Sequence, residues 1–415
     1  MNNLLQDNKK NSLGFALLIL SLFIPLRFET SFLIIRPFDL FTAIFFLFLY
    51  SKKKYNINKN NDGFFYLFPF LIFHTFSSLF VGVPNFFREG IQTILIIFFS
   101  YVASNIKVKI DYKKIIYYLL IGSSILILYV ILWHVNNNMF FNWKKLPDSR
   151  ILYTIFPVLL FSYLNIIKNT EEYKFKIFFI FFILFFILLL SGERKAIVVF
   201  LFLFIMHYSN GFSFKIVIGL IACYFFLIFI ANNIDNYYIS KVLNSILNVT
   251  QTDDVEYVLS GGIPSDNVSY SNIIRFFIFD VSKNLFIENP LIGVGTNNFI
   301  IILKKEYSYL PSFLTISGIH NEFLRVLIEN GLIGLFLYLM IWYKSWIRTK
   351  NILTNAIKSS LIERRQYIFI LYSIYLTMAV YVGTEASSTR SFIILVAISL
   401  LPDFLRNHFQ KKISK

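Results

Sequence analysis

The sequence predicts an all-α, polytopic membrane protein with about twelve transmembrane helices and one large loop late in the chain. Two observations carry that class. Hydrophobic residues fill 57% of 415 positions and mean hydropathy is +0.65, whereas a soluble domain holds about 45–50% apolar residues. Apolar runs of roughly 15 to 22 residues, long enough to cross a ~30 Å hydrocarbon core as helices, recur along the chain. Taken in order they lie near 12–27, 32–51, 64–82, 88–106, 115–134, 151–167, 175–191, 195–209, 214–232, 322–343, 366–383 and 390–406. The organisation is therefore helices one to nine within 1–232, a loop over 233–321, and helices ten to twelve with a tail over 322–415.

The first run follows Lys9 and Lys10 and leads into Pro25, Leu26, Arg27 and Phe28 without a small-x-small cleavage pattern. It reads as an uncleaved span. The single cysteine, Cys223, lies in an apolar run, which leaves no disulfide framework and no thiolate metal cluster. A net charge of +16 would suggest nucleic acid in a soluble protein, but here it bears first on topology. The lipid bilayer is the expected partner, and no nucleic acid is.

Cytoplasmic loops carry the excess of Lys and Arg. An inward N-terminus places Lys52 to Lys54, the 107–114 cluster, 168–176, 344–365 and Lys411, Lys412 and Lys415 on the inner side. Both termini then face the cytoplasm and the loop faces outward. Arginine behaves differently from lysine. Arg27, Arg36, Arg88, Arg150, Arg194, Arg275 and Arg390, seven of twelve, fall on the outer side, where positive charge is selected against. The planar, bidentate guanidinium suits phosphate and carboxylate, so the set points to an anionic ligand on that face. The competing reading is that single members snorkel or pair with Glu89, Glu193 or Glu385.

Candidate site residues gather in two places. Ser191, Gly192, Glu193, Arg194, Lys195 and Ala196 form a polar outward turn between two apolar runs; a plain hairpin with a Glu193/Arg194 pair is the alternative. In the loop, Ile274, Phe277, Ile278, Val281 and Leu285 recur at helical spacing, predicting an amphipathic helix over 273–287 resting on the membrane surface, with Arg275 at the flank of its stripe. That helix should stop before Asn289 and Pro290, and Gly293 and Gly295 read as a tight turn.

His320 opens the helix beginning near Asn321, an expected N-cap. The positive helix end favours a neutral imidazole, as a general base requires; a structural histidine is the alternative. Glu322, Arg325 and Glu329 then share one face, descending ~10 Å into the membrane region. They read either as a self-neutralised structural stripe or as substrate contacts. The sequence shows no metal site, and no phosphate loop of the GxxxxGK[ST] kind. Activation should therefore come with the substrate.

Asn289 to Gly295, His320 to Leu324 and Glu329 to Gly334, with Ser191 to Ala196 upstream, resemble the bacterial O-antigen ligase and O-antigen polymerase superfamily. The resemblance covers about 190–345 by motif and the rest by topology. It departs at Glu193, which intervenes where the family often has serine directly before the arginine. The resemblance implies a GT-C-like, inverting, metal-independent glycosyltransferase without a cofactor, in the bacterial inner membrane with a periplasmic active site. Its substrate would be an undecaprenyl-pyrophosphate-linked oligosaccharide. It further implies that Arg194 and Arg275 bind the pyrophosphate and that His320 deprotonates the acceptor hydroxyl. Arg150, Asn321, Glu322 and Arg325 are further candidate substrate contacts, and a polysaccharide chain-length regulator is a candidate partner. Arg150 and the extreme Phe and Ile content favour the polymerase branch. The alternatives are a ligase transferring glycan to lipid A-core and, from another class, a lipid-linked oligosaccharide flippase.

Overall fold

The computed structural model describes chiefly residues 63–105, 174–191, 194–209, 270–310, 318–356, 361–383 and 394–403, with short pieces around 28–35 and isolated positions elsewhere. The helices are α1 (Gly63–Ser77), α2 (Val83–Asn105), α3 (Lys174–Ser191), α4 (Arg194–Ser209), α5 (Tyr270–Glu288), α6 (Phe299–Glu306), α7 (Glu322–Ala356), α8 (Leu361–Gly383) and α9 (Ile394–Asp403). A two-residue antiparallel ladder pairs β1 (Phe28–Glu29) with β2 (Ile34–Ile35), so that the start of the span expected at 32–51 is strand, not helix. Helices α1 to α4 and α7 to α9 fall on the expected spans. The spans expected at 12–27, 32–51, 115–134, 151–167 and 214–232 lie wholly or mostly outside the described residues.

The chain divides into two units. One contains α3 and α4, whose hairpin closes on phenylalanines: Phe181 stacks on Phe200 and Phe204, with centroids 5.1 and 3.5 Å apart. The other contains α1, α2, α5, α6, α7, α9 and the C-terminal part of α8. In that unit the hydroxyl of Ser345 on α7 donates to the carbonyl of Ile398 on α9. It also lies 2.6 Å from the Tyr375 hydroxyl on α8, which ties the three helices together.

The expected single helix over 322–343 is two helices. Gly331 has φ 65° and ψ −168°, a conformation that glycine adopts at little cost and residues with a Cβ do not. In a straight helix Phe323 and Tyr338 would stand about 22 Å apart along the axis. Their ring centroids are 5.7 Å apart, and Phe323 lies 6.0 Å from Trp342. The chain thus turns back at Gly331, and the short arm 322–330 leans against the long arm 332–356. Although residues 322–355 read by length and composition as one long apolar helix, these ring contacts exclude a single rod. The long arm alone, at ~37 Å, suffices to cross a bilayer.

Such a break frees backbone groups that must find partners. The segment after α5 supplies them. Val294 N–H donates to Ile328 O and Gly295 N–H to Glu329 O, both at 2.9 Å, capping the end of the short arm. Leu332 N–H donates to Pro290 O and Ile333 N–H to Leu291 O, at 2.9 and 3.2 Å, capping the start of the long arm. Backbones approach so closely here that a Cβ on Gly293 would meet the Glu329 carbonyl carbon at 2.5 Å. The glycine pair read from sequence as a turn is therefore also the contact surface of a clasp.

Helix α5 forms where expected, ending just before Asn289. Its stripe is buried, but against protein. Phe277, Ile278, Val281 and Leu285 pack with Val294, Phe299, Leu303, Ile319 and Ile328. The expectation that this stripe rests on the membrane is corrected: periodicity identifies an apolar face, but α6 and the short arm provide the surface that covers it. Each large apolar side chain so buried contributes about 1.5–3 kcal/mol, enough to hold the loop helix in place.

Candidate functional site

His320 lies in a bend directly before the short arm and is half-buried. The Asn321 side-chain oxygen accepts the backbone N–H of Leu324 at 3.2 Å, and its carbonyl accepts Arg325 N–H at 2.8 Å. This is the geometry of an N-cap, as the sequence predicts. Ile319, on the other side of the histidine, is buried in the apolar cluster. His320 is thus fixed from both sides, by a cap and by a core residue.

Below it the three charged residues form a closed ion cluster. Arg325 Nε donates to Glu322 Oε2 at 2.8 Å, its Nη2 to the other Glu322 oxygen, and its Nη1 to Glu329 Oε2 at 3.0 Å. All three are buried, with 1%, 6% and 3% of Glu322, Arg325 and Glu329 exposed. Their charges meet one another within the protein, an arrangement that supports the structural reading of the stripe. The i, i+3 and i+4 spacing on the short arm is what allows a single guanidinium to reach both carboxylates.

A second polar group, which sequence reading missed, locks the break to α1. Asn330 Nδ2 donates to Ser77 Oγ at 2.5 Å and to Thr296 Oγ1 at 2.9 Å, while its Oδ1 lies 3.1 Å from His74 Nδ1. With the amide nitrogen donating twice, Oδ1 is the acceptor and His74 Nδ1–H the donor. Thr296 in turn donates to the His74 carbonyl at 2.8 Å. Around this knot, Glu89 on α2 accepts Asn297 Nδ2 at 2.9 Å, lies 3.3 Å from Arg88 Nη2 and stands 3.9 Å from His74 Nε2. The pairing of Arg88 with Glu89, one alternative that the sequence left open, is present. The members of the knot lie up to 256 residues apart, so no local pattern announces them.

Arg275 lies on the exposed side of α5, beside Ile274, which packs on the apolar cluster that also holds Ile319. Arg194 is the first residue of α4, in the other unit, and its side chain lies outside the described residues. Glu193 and Arg150 lie outside them as well. Near the cluster, burial with Glu306 alongside pushes the Tyr307 phenol above its ordinary range, so this ring stays neutral at physiological pH. Among the described residues no group of three or more His, Cys, Asp or Glu is arranged to hold a metal.

Residues 179–339 match the family model described as O-antigen ligase. The matched span includes Arg194, Arg275, His320, the clasp and the turning point at Gly331. No curated protein matches the chain significantly. The match supports a relation of this segment to the O-antigen ligases and polymerases and does not separate the two branches.

Proposed function

We propose, from the similarity of residues 179–339 to the O-antigen ligase family, that this chain is a polysaccharide polymerase. It joins undecaprenyl-pyrophosphate-linked repeat units at the outer face of the bacterial inner membrane. The observation that carries the reading is the shared apolar cluster of α5, α6 and the short arm. Ile274 beside Arg275 and Ile319 beside His320 pack into the same cluster, which supports a common task for a cation and a base.

In this reading the His320 imidazole takes the proton of the acceptor sugar hydroxyl as its oxygen attacks the anomeric carbon of the donor glycan. The bond from that carbon to the pyrophosphate oxygen breaks with inversion. Arg275 and Arg194 stabilise the negative charge that grows on the leaving lipid pyrophosphate. The N-cap at Asn321 and the Glu322/Arg325/Glu329 cluster act by holding the short arm, and hence His320, in position.

Complementation of a deletion strain tests this. With His320→Ala or Arg275→Ala, the polymerase reading expects lipid A-core capped by a single repeat unit and no ladder on a surface-polysaccharide gel. General-base removal typically costs 10²–10⁴-fold in rate, so the ladder should vanish rather than shorten. Bare lipid A-core with long glycan accumulating on the lipid carrier would identify a ligase instead. A full ladder from His320→Ala would remove the mechanism.

A further inference from the structure

The stripe of α5 that the sequence singles out is spent on protein contacts, yet the helix has a second apolar surface. Phe276, Phe279 and Ile287 are 50%, 61% and 66% exposed. Going round the helix at about 100° per residue, these three fall within a quarter-turn, with Lys283 between them and Arg275 at the margin. Asp280, Asn284 and Glu288, also exposed, follow one another round the opposite margin. The open face of α5 is therefore divided lengthwise, aromatic and basic along one edge, acidic and amide along the other.

The apolar edge continues into the clasp. Leu291 and Ile292 are exposed, and hydrogen bonds from Leu332 and Ile333 to Pro290 and Leu291 hold them beside the start of the long arm. From there Leu332, Phe336, Leu339 and Tyr343 form an exposed stripe on that arm, spaced as one helical face. On a helix of ~37 Å, such a lengthwise apolar face is where acyl chains lie.

We propose that the Phe276/Phe279/Ile287 edge of α5 is embedded among the acyl chains of the outer leaflet, opposite to the stripe that periodicity assigns to the membrane. Its occupant is bilayer lipid, a continuation of the lipid face of the long arm around Gly331. Arg275 and Lys283 then sit at phosphate depth, where basic residues flank the apolar face of an interfacial helix, and Asp280, Asn284 and Glu288 face water. The turning point at Gly331 marks the outer edge of the hydrocarbon core. The short arm with its ion cluster lies outside that core, not ~10 Å within it.

Site-directed fluorescence in liposomes tests the placement. In a Cys223→Ser background, full-length Phe279→Cys, Ile287→Cys and Asn284→Cys are labelled with bimane, checked for a monodisperse gel-filtration peak, and reconstituted. Doxyl-labelled phosphatidylcholine should quench positions 279 and 287 roughly threefold more than 284, as an interfacial helix requires, and aqueous iodide should show the reverse order. Equal iodide quenching at all three positions would overturn the proposal. So would disulfide-linked dimers through Phe279→Cys without lipid quenching, because a second copy would then cover the edge. Positions 279 and 287 report independently, so the misfolding of one variant leaves the other to decide.

Discussion

The two arms of α7 are made by one uninterrupted run of sequence and solve opposite problems. The short arm, 322–330, carries three ionisable side chains and buries all of them; the long arm, 332–356, opens on an apolar face, with Leu332, Phe336 and Leu339 exposed. Charges within the first arm are matched by one another, and the apolar surface of the second is left exposed. The difference shows that mean hydropathy over a window locates an apolar segment but not where the membrane begins. In the placement proposed above, that boundary is set by the backbone, at the residue that lets the chain turn.

Variants of the two arms should therefore fail in different ways. Removing the shared cation, Arg325→Met, leaves two buried carboxylates without their counter-charge. Unfolding in detergent should become easier by about 3–5 kcal/mol, and replacing Glu322 and Glu329 by Gln in the same chain should restore much of the loss. If Arg325→Met unfolds like the parent, the cluster is not what holds the short arm. Gly331→Ala comes next. A Cβ there meets the Leu291 carbonyl in an unfavourable backbone region, for about 2–3 kcal/mol, and the limited-proteolysis pattern should change within 289–297.

Asn321→Ala removes the cap and should cost about 1 kcal/mol, with Asn321→Asp losing a few tenths. Because the cap orients His320, a glycan ladder that fades with Ala and persists with Asp would separate positioning from bulk stability. The smallest effect belongs to the long arm. Phe336→Ala, 62% exposed, should shift unfolding in detergent by no more than about 0.5 kcal/mol. A large loss there would mean that protein, not lipid, covers this face.

Where one element decides its own form, the sequence was legible. The spacing of Phe277, Ile278, Val281 and Leu285, the stop at Asn289–Pro290 and the cap at Asn321 are local features, and the structure has all three. What covers an apolar stripe is not local, and the α5 stripe turned out to lie against α6 and the short arm. The break at Gly331 was hidden because Asn330, Gly331 and Leu332 sit inside an apolar run at helical periodicity, and one glycine in such a run usually continues it. His74 and Thr296 were invisible as partners for the same reason of distance. The placement of Arg194 relative to His320, which the family resemblance pairs in function, belongs to the proposal.

The bond between His74 and Asn330 closes across 256 residues, and that separation is also an interval of time. At about 5–20 residues per second of synthesis, some 10–50 s pass between the making of His74 and that of Asn330. Local bonds are also present here: Thr75 donates back to Leu71 O, Ser77 to His74 O and Ser78, just past the helix, to Thr75 O. The His74 ring is the member of that helix whose partners in the knot, Asn330 and Thr296, come only from late sequence. The contacts of His74 with Asn330 and Thr296 are therefore the last to form on α1, when the clasp arrives.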